Sequence, residues 1–433
     1  MSIIRPFCAL RPAHHVQAVA AVPYDVVNTE EARQLVQGHP FSFLNVSRPE
    51  IHAPDVLLKG AFPSSSEIYQ FGLSHFNRLI EECPLIRDRT PSLYIYRLRM
   101  KFPDTGMHEQ TGIAGCFSIN EYDGEYDREH SGEHQSRSPH QIKKHERTRP
   151  DKEDDRTQHI MTLSAQTGPV FLTYPNVAAI QEALIQVQKR APLYDFIASD
   201  GVEHTVWLAP QPEVFVHLFA QQVRTLYIAD GHHRAAAASR ARALHRDKNP
   251  MHRGDEEYNF MLGVAFSDQV VKILPYHRVI KTWSALNGRA FLQRLHEIYE
   301  VNPTTEPIPP RNQFGMFMKM PESAEPKWFR LKPKTDFMPR ELDASFLQRT
   351  LLEPLLDIQD PRTDKRIDFV GGIRGTGEHE KMILKQKAVL AFTLAATRIT
   401  DLIETADRNE IMPPKSTWFE PKLRDGILCH CIG

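Results

Sequence analysis

An apolar run, Val223 to Ile228, leads straight into Ala229-Asp230-Gly231-His232-His233-Arg234, and an alanine-rich stretch from Arg234 to Leu244 follows. No other feature constrains the chain as much. A short apolar run, a glycine and then a helix-favouring stretch predict a strand, a turn and a helix. The first amides of a helix have no internal partners and lie at the positive end of its dipole, so the turn is a candidate anion site. Gly231 lets the backbone approach a ligand closely. Arg234 supplies a fork that matches two phosphate oxygens. His232 and His233 can donate to a phosphate or move a proton. Asp230 stands at the helix start, where it would cap the helix or hold Mg²⁺. The plainer alternative is a capped helix that exposes His-His-Arg to solvent. The small residues Ala235 to Ala238 favour tight packing of this helix on a sheet.

The remaining pattern mixes strands and helices, which predicts an α+β or mixed α/β fold. Asn28-Thr29 before Glu30-Glu31 predicts a helix start, with Gly38 ending that helix. Ser64 to Glu82 predicts a longer helix with Ile68, Phe71, Phe76, Leu79 and Ile80 on one face. Strands are expected at Leu93 to Met100, Gly112 to Ile119, Pro169 to Tyr174, Phe314 to Met318 and Ala388 to Leu394. Helices are expected at Val177 to Gln188, Ala290 to Ile298 and Ile399 to Ala406. Phe260 to Phe266 and Val270 to Leu274 read as a hairpin. Glu121 to Gln158 is almost wholly polar, which predicts a loop or a lid over a site rather than a core element. Pro303 to Pro310 reads as a linker. The expected division is therefore a main domain over residues 1–300 and a C-terminal α/β region over 301–433.

At 433 residues the chain is long enough for two or three domains. Lys and Arg number 53 against 54 Asp and Glu, which argues against a broad cationic face for nucleic acid. The five cysteines are odd in number and irregular in spacing, so no secreted disulfide framework is expected. No run of about 18 apolar residues occurs, and Met1 to His15 lacks a signal-peptide core, so a cytoplasmic protein without a membrane span is expected. The pairs His130/His134 and Cys429/Cys431 do not complete a zinc site. Gly371 to Gly377 reads as a flexible hairpin or a second anion nest.

Six stretches together resemble one bacterial and archaeal family, domain of unknown function 1015. They are Pro23-Tyr24-Asp25-Val26, Asn45-Val46-Ser47-Arg48-Pro49-Glu50, Lys144-His145-Glu146-Arg147-Thr148, Asp155-Arg156, the turn at 230–234, and Met412 to Lys422. They run from near the first residue to near the last. The turn itself resembles the nucleotide-phosphate motif of the ParB/sulfiredoxin-like superfamily, which includes the free serine kinases. That resemblance implies a ParB/sulfiredoxin-like phosphate-binding core and a phosphotransferase acting on a small hydroxy amino acid, with L-serine as acceptor. ATP or ADP would be the donor and Mg²⁺ the counter-ion.

Phosphoryl transfer needs the phosphates held, their charge neutralised and the acceptor placed beside a base. The resemblance points to Glu50 as that base, with Arg48 beside it. His145 and Glu146 are further catalytic candidates, with Asp230. Gly231, His232, His233, Arg234, Arg156 and Lys415 are phosphate or nucleotide candidates, and Asp25, at the end of a strand, and Arg48 are substrate candidates. Lys422 is a second cation able to reach a phosphate. Three rival readings are a phosphatase acting on phosphoserine, a nucleotide sensor without turnover, and a ParB-like DNA-binding switch. The last needs a helix-turn-helix after the turn, and the sequence beyond Leu244 is strand-like instead.

Overall fold

A computed structural model of the protein describes residues 2–53, 66–82, 85–122, 141–283, 288–320 and 323–433. The chain forms two compact units, Met1–Val271 with Pro421–Gly433, and Lys272–Glu420. The division expected at residue 300 differs from these units in two ways. It lies beyond the start of the second unit, and it leaves the last thirteen residues on the wrong side. The first difference traces to the supposed hairpin. Phe260–Ser267 is an inner strand of the first unit's sheet, whereas Lys272–Leu274 pairs with Trp418–Glu420 in the second unit.

The first unit is built on a nine-stranded mixed sheet. Its order is Ile142–Lys143, Leu226–Asp230, Val170–Tyr174, Phe260–Ser267, Gly106–Ser118, Tyr94–Phe102, Glu203–Leu208 and Tyr194–Ile197, with Ile4–Arg5 added to Gly106–Ser118. Leu226–Asp230 runs parallel to Ile142–Lys143 and antiparallel to Val170–Tyr174, with an irregular register between Ile228 and Asp230. Val170–Tyr174 runs parallel to Phe260–Ser267. All five residues of Val170–Tyr174 are buried, as expected of a strand covered on both faces. Ile113, Phe117, Leu172, Ile228 and Phe219 join one apolar core with Ala235 and Ala238 of the turn helix.

Several expected elements are present. Asn28 caps Thr29–Val36 in a reciprocal capping box with Glu31. Ser66–Glu81 is a helix whose buried face carries Ile68, Phe76 and Leu79, while Ile80 is exposed. Ala178–Gln188 is the helix expected from Val177 onward. The polar segment 121–158 departs from expectation, because Pro150–Leu163 is a helix of 14 residues. Proline in its first turn with Asp151 and Glu153 suits a helix N-terminus. Its buried face is largely polar, carrying Arg156, Thr157 and His159 beside Ile160 and Leu163. Apolar periodicity therefore gives no sign of it. His130 and His134 lie outside the described residues, as does Cys83. Cys8, Cys116, Cys429 and Cys431 are free thiols.

The second unit holds a six-stranded antiparallel sheet. Its order is Tyr299–Pro303, Pro326–Pro333, Phe314–Lys319, Leu390–Thr393, Tyr276–Ile280 and Ile367–Gly371. Phe291, Leu295, Phe314, Phe346 and Leu351 form its core with Leu390. The supposed linker is part of this unit: Pro303 ends a strand, and the Thr393 hydroxyl donates to the Pro307 carbonyl. Gly371 to Gly377 is not a hairpin but the end of a strand, a short 3-10 turn and the start of the helix Gly377–Leu384. Among the described residues no helix is long and apolar enough to cross a membrane.

Candidate functional site

The strand Leu226–Asp230 enters the turn and the helix His232–Lys248 leaves it. Gly231 is the helix cap, with φ of 91°, and among the described residues no side chain caps the helix. A residue with a side chain is disfavoured there twice over. Its backbone would be left-handed, and its Cβ would meet Arg234 Nε at 2.9 Å. The alanines behind the turn serve two faces. Ala235 and Ala238 pack on the sheet core, while Ala237 and Ala241 meet Ile160 of the helix Pro150–Leu163. Arg240 pairs with Glu153 at 3.4 Å and with Asp154 along the same helix contact.

Asp230 is engaged within the protein. Its Oδ2 meets Lys422 Nζ at 2.8 Å, and its Oδ1 accepts from the Gly231 amide at 3.0 Å. Arg234 Nη2 stands 3.9 Å from the same carboxylate. Magnesium held by Asp230 does not fit this arrangement, because the carboxylate already has an ammonium counter-ion. Arg234 Nη1 donates to the Pro169 carbonyl at 2.7 Å. Burial alone would lower the pKa of its guanidinium, but Asp25, Asp230 and Asp425 outweigh burial and raise it.

Arg234 also lines a pocket with Tyr24, Ser47, Arg156, His159, Gly168 and Asp425. Asp425 is 2% exposed, and burial pushes its carboxyl up to about 7. The Asp25 charge adds to that rise, while Arg234, Arg156 and the Tyr24 backbone oppose it. Gly168 makes room for this carboxyl, since a Cβ there would meet Asp425 Oδ1 at 2.5 Å. Asp425 Oδ1, Arg234 Nε and Ser47 Oγ are buried without a hydrogen-bond partner among the described residues. Unsatisfied buried polar atoms are costly, and three along one pocket suit a ligand that completes them.

Arg156 is held from three sides. It donates to the Ser47 carbonyl at 3.1 Å, pairs with Asp155 at 2.8 Å, and lies 4.2 Å above the Tyr24 ring centroid. Tyr69 donates to Asp155 at 3.1 Å. His159 bonds the Val46 carbonyl at 2.8 Å, and burial lowers its pKa to about 4, so it is neutral at pH 7. Glu50 forms an ion pair with Arg48 at 2.7 Å. Arg48 in turn donates to the Tyr24 carbonyl at 2.8 Å. The Glu50 charge raises the pKa of Arg156 and of Tyr69, which places it in the same electrostatic cluster.

His145 and His232 pack edge to face with ring centroids 4.5 Å apart. Burial lowers His145 to about 4, against the Ile228 carbonyl it bonds, and takes His232 well below the ordinary range. The His233 ring accepts from the Arg149 amide at 3.1 Å.

Of the residues singled out from the sequence, Asp230, Gly231, His232, His233 and Arg234 form the turn itself. Arg156 shares the pocket with Arg234, and His145 with Glu146 flanks His232. Arg48 and Glu50 meet the pocket through Tyr24 and Arg156. Asp25 is exposed, yet its charge acts on Arg234 and Asp425. Lys415 belongs to the second unit, with its Nζ 5.7 Å from the Tyr276 ring centroid. Sequence reasoning missed Asp425, Gly168 and His159. An Asp-Gly pair such as Asp425-Gly426 reads as a surface turn, and nothing local to it signals burial.

Fold and site define a mixed α/β protein with a strand–turn–helix beside a buried pocket that holds both signs of charge. The chain belongs to the DUF1015 family, whose profile, described as "Protein of unknown function (DUF1015)", matches residues 4–351. A comparison with curated proteins gives no match. Among solved structures it is similar to free serine kinase in complex with AMP, at 13% identity and a TM-score of 0.33 over 66% of this chain and 88% of that one. An alanine variant of free serine kinase in complex with ADP gives 13% identity and a TM-score of 0.34, covering 66% and 89%. SbnI with a C-terminal truncation, from Staphylococcus aureus, gives 9% and 0.35, covering 72% and 85%.

Proposed function

We propose that the protein is a nucleotide-dependent phosphotransferase on a ParB/sulfiredoxin-like core, acting on a small hydroxy amino acid, with free L-serine as the simplest acceptor. One observation carries the reading. Arg234 belongs both to the turn and to a pocket that contains a buried, incompletely bonded carboxylate and a second arginine. A zwitterion answers both needs, with its ammonium at Asp425 and its carboxylate at Arg156. The nucleotide phosphates take the amides of the turn and the Arg234 fork. The acceptor hydroxyl attacks the terminal phosphorus, the bond to the leaving phosphate oxygen breaks, and the hydroxyl proton passes to Glu50. Holding and neutralising the phosphates supplies most of the catalysis. The chemistry of a divalent ion, when bound, is to neutralise charge on those same oxygens.

The test is phosphorus NMR on the full chain with L-serine and a divalent salt. ATP, ADP and O-phosphoserine alone are run in parallel. Phosphoserine formed only with nucleotide is the expected result, and it names the donor. Phosphate released from O-phosphoserine without nucleotide replaces the proposal with a phosphatase, and no reaction in any sample refutes the serine reading.

A further inference from the structure

The geometry points to a divalent transition-metal site formed by His145, Glu146 and His232 beside the turn. One ligand atom from each residue lies within 4.8 Å of the other two. Metal–nitrogen bonds of about 2.0–2.1 Å in a tetrahedral site put ligand atoms about 3.4 Å apart. Closure therefore asks for a shift of roughly an ångström. Glu146 is the half-buried member of the three.

The local fold explains the convergence. Ile142–Lys143 pairs in parallel with Leu226–Asp230, so the residues after one strand run beside the turn that follows the other. His232 opens the helix and His145 lies alongside. The His145 ring bonds the Ile228 carbonyl, which fixes its orientation as an outer-shell partner does for a ligating histidine. The contact from the His145 amide to His232 Nε2 is 3.5 Å, weak enough to be exchanged for a metal bond.

Two histidines packed for their own sake need no carboxylate beside them. Two nitrogens and one oxygen favour Zn²⁺, Mn²⁺, Fe²⁺ or Co²⁺ over the oxygen-seeking Mg²⁺ and Ca²⁺. Three protein ligands leave coordination positions open for water or a phosphate oxygen. Metal binding stands on these three side chains alone. The ion's task at a nucleotide phosphate rests on the phosphotransferase reading.

The test is a Co²⁺ titration of the chelator-treated full chain, followed by absorption, with Zn²⁺ and Mg²⁺ as competitors. We expect one equivalent of Co²⁺ with intensified visible bands, displaced by Zn²⁺ and not by a hundredfold excess of Mg²⁺. His145→Ala and Glu146→Gln are each expected to weaken binding at least tenfold, with circular dichroism unchanged. Glu146→Gln is the control should the buried histidine variant fail to fold. The spectrum of aqueous Co²⁺, a thiolate charge-transfer band, or unchanged affinity in Glu146→Gln would each overturn the site. Nucleotide binding, measured separately, can fail without disturbing any of these results.

Discussion

Three aspartates act on Arg234, and the protein treats two of them, Asp230 and Asp425, differently. Asp230 is matched by Lys422 at 2.8 Å and by its neighbouring amide. Asp425 is more deeply buried, its Oδ1 has no hydrogen-bond partner among the described residues, and burial pushes its carboxyl up to about 7. A matched charge is scaffold, since its energy is already spent on holding the turn. An unmatched one is a poised group whose desolvation penalty a ligand can relieve.

The comparison can be broken in four ways. The largest effect is expected from Glu50→Gln, which leaves both aspartates untouched. It should cut kcat roughly 10²–10⁴-fold while nucleotide and amino acid still bind, as measured by calorimetry. Full turnover would move the base elsewhere. Arg234→Ala removes the group shared by both aspartates. We expect roughly a hundredfold loss of nucleotide affinity with the fold retained by circular dichroism, on the scale of breaking a buried charged contact. Unchanged affinity would remove the turn from the nucleotide site.

Asp425→Asn separates the two regions. Amino-acid affinity should fall roughly 30-fold or more while nucleotide affinity holds. The pH dependence has a definite sign. A carboxyl whose folded pKa is raised binds more protons in the folded state, so wild type loses stability as pH climbs from about 4 to about 7 and then levels off. The variant lacks that slope, and urea unfolding at several pH values measures the difference. Amino-acid binding to wild type should correspondingly strengthen as pH rises through 7. A wild-type slope identical to the variant's would refute the poised carboxylate. Lys422→Ala gives the smallest effect. The pair is partly exposed, at 12% and 27%, so about 1 kcal/mol of stability should be lost, read from urea midpoints. A loss in amino-acid affinity as large as that of Asp425→Asn would erase the distinction between the two carboxylates.

The turn was readable because its signals are local. An apolar run, a glycine and small residues lie within about twenty positions of one another in the chain. The helix Thr29–Val36 was legible for the same reason, through its capping box. Pro150–Leu163 escaped because its inward face uses Arg156, Thr157 and His159, whose burial depends on partners in distant segments. The hairpin reading of 260–274 failed because two adjacent apolar runs do not reveal which sheet each one joins. Asp425 is the extreme case: its role depends on Gly168, Arg234 and Tyr24, none within 150 residues of it.

The return of Pro421–Gly433 to the first unit has a consequence for biosynthesis. Lys422 and Asp425 are made after the whole of Lys272–Glu420. All nine strands of the first unit's sheet precede residue 268, yet a nascent chain that has made only these lacks the partner of Asp230 and the carboxylate of the pocket. Both groups therefore join the first unit only after the second unit has been made, and a chain cut short after residue 420 lacks them.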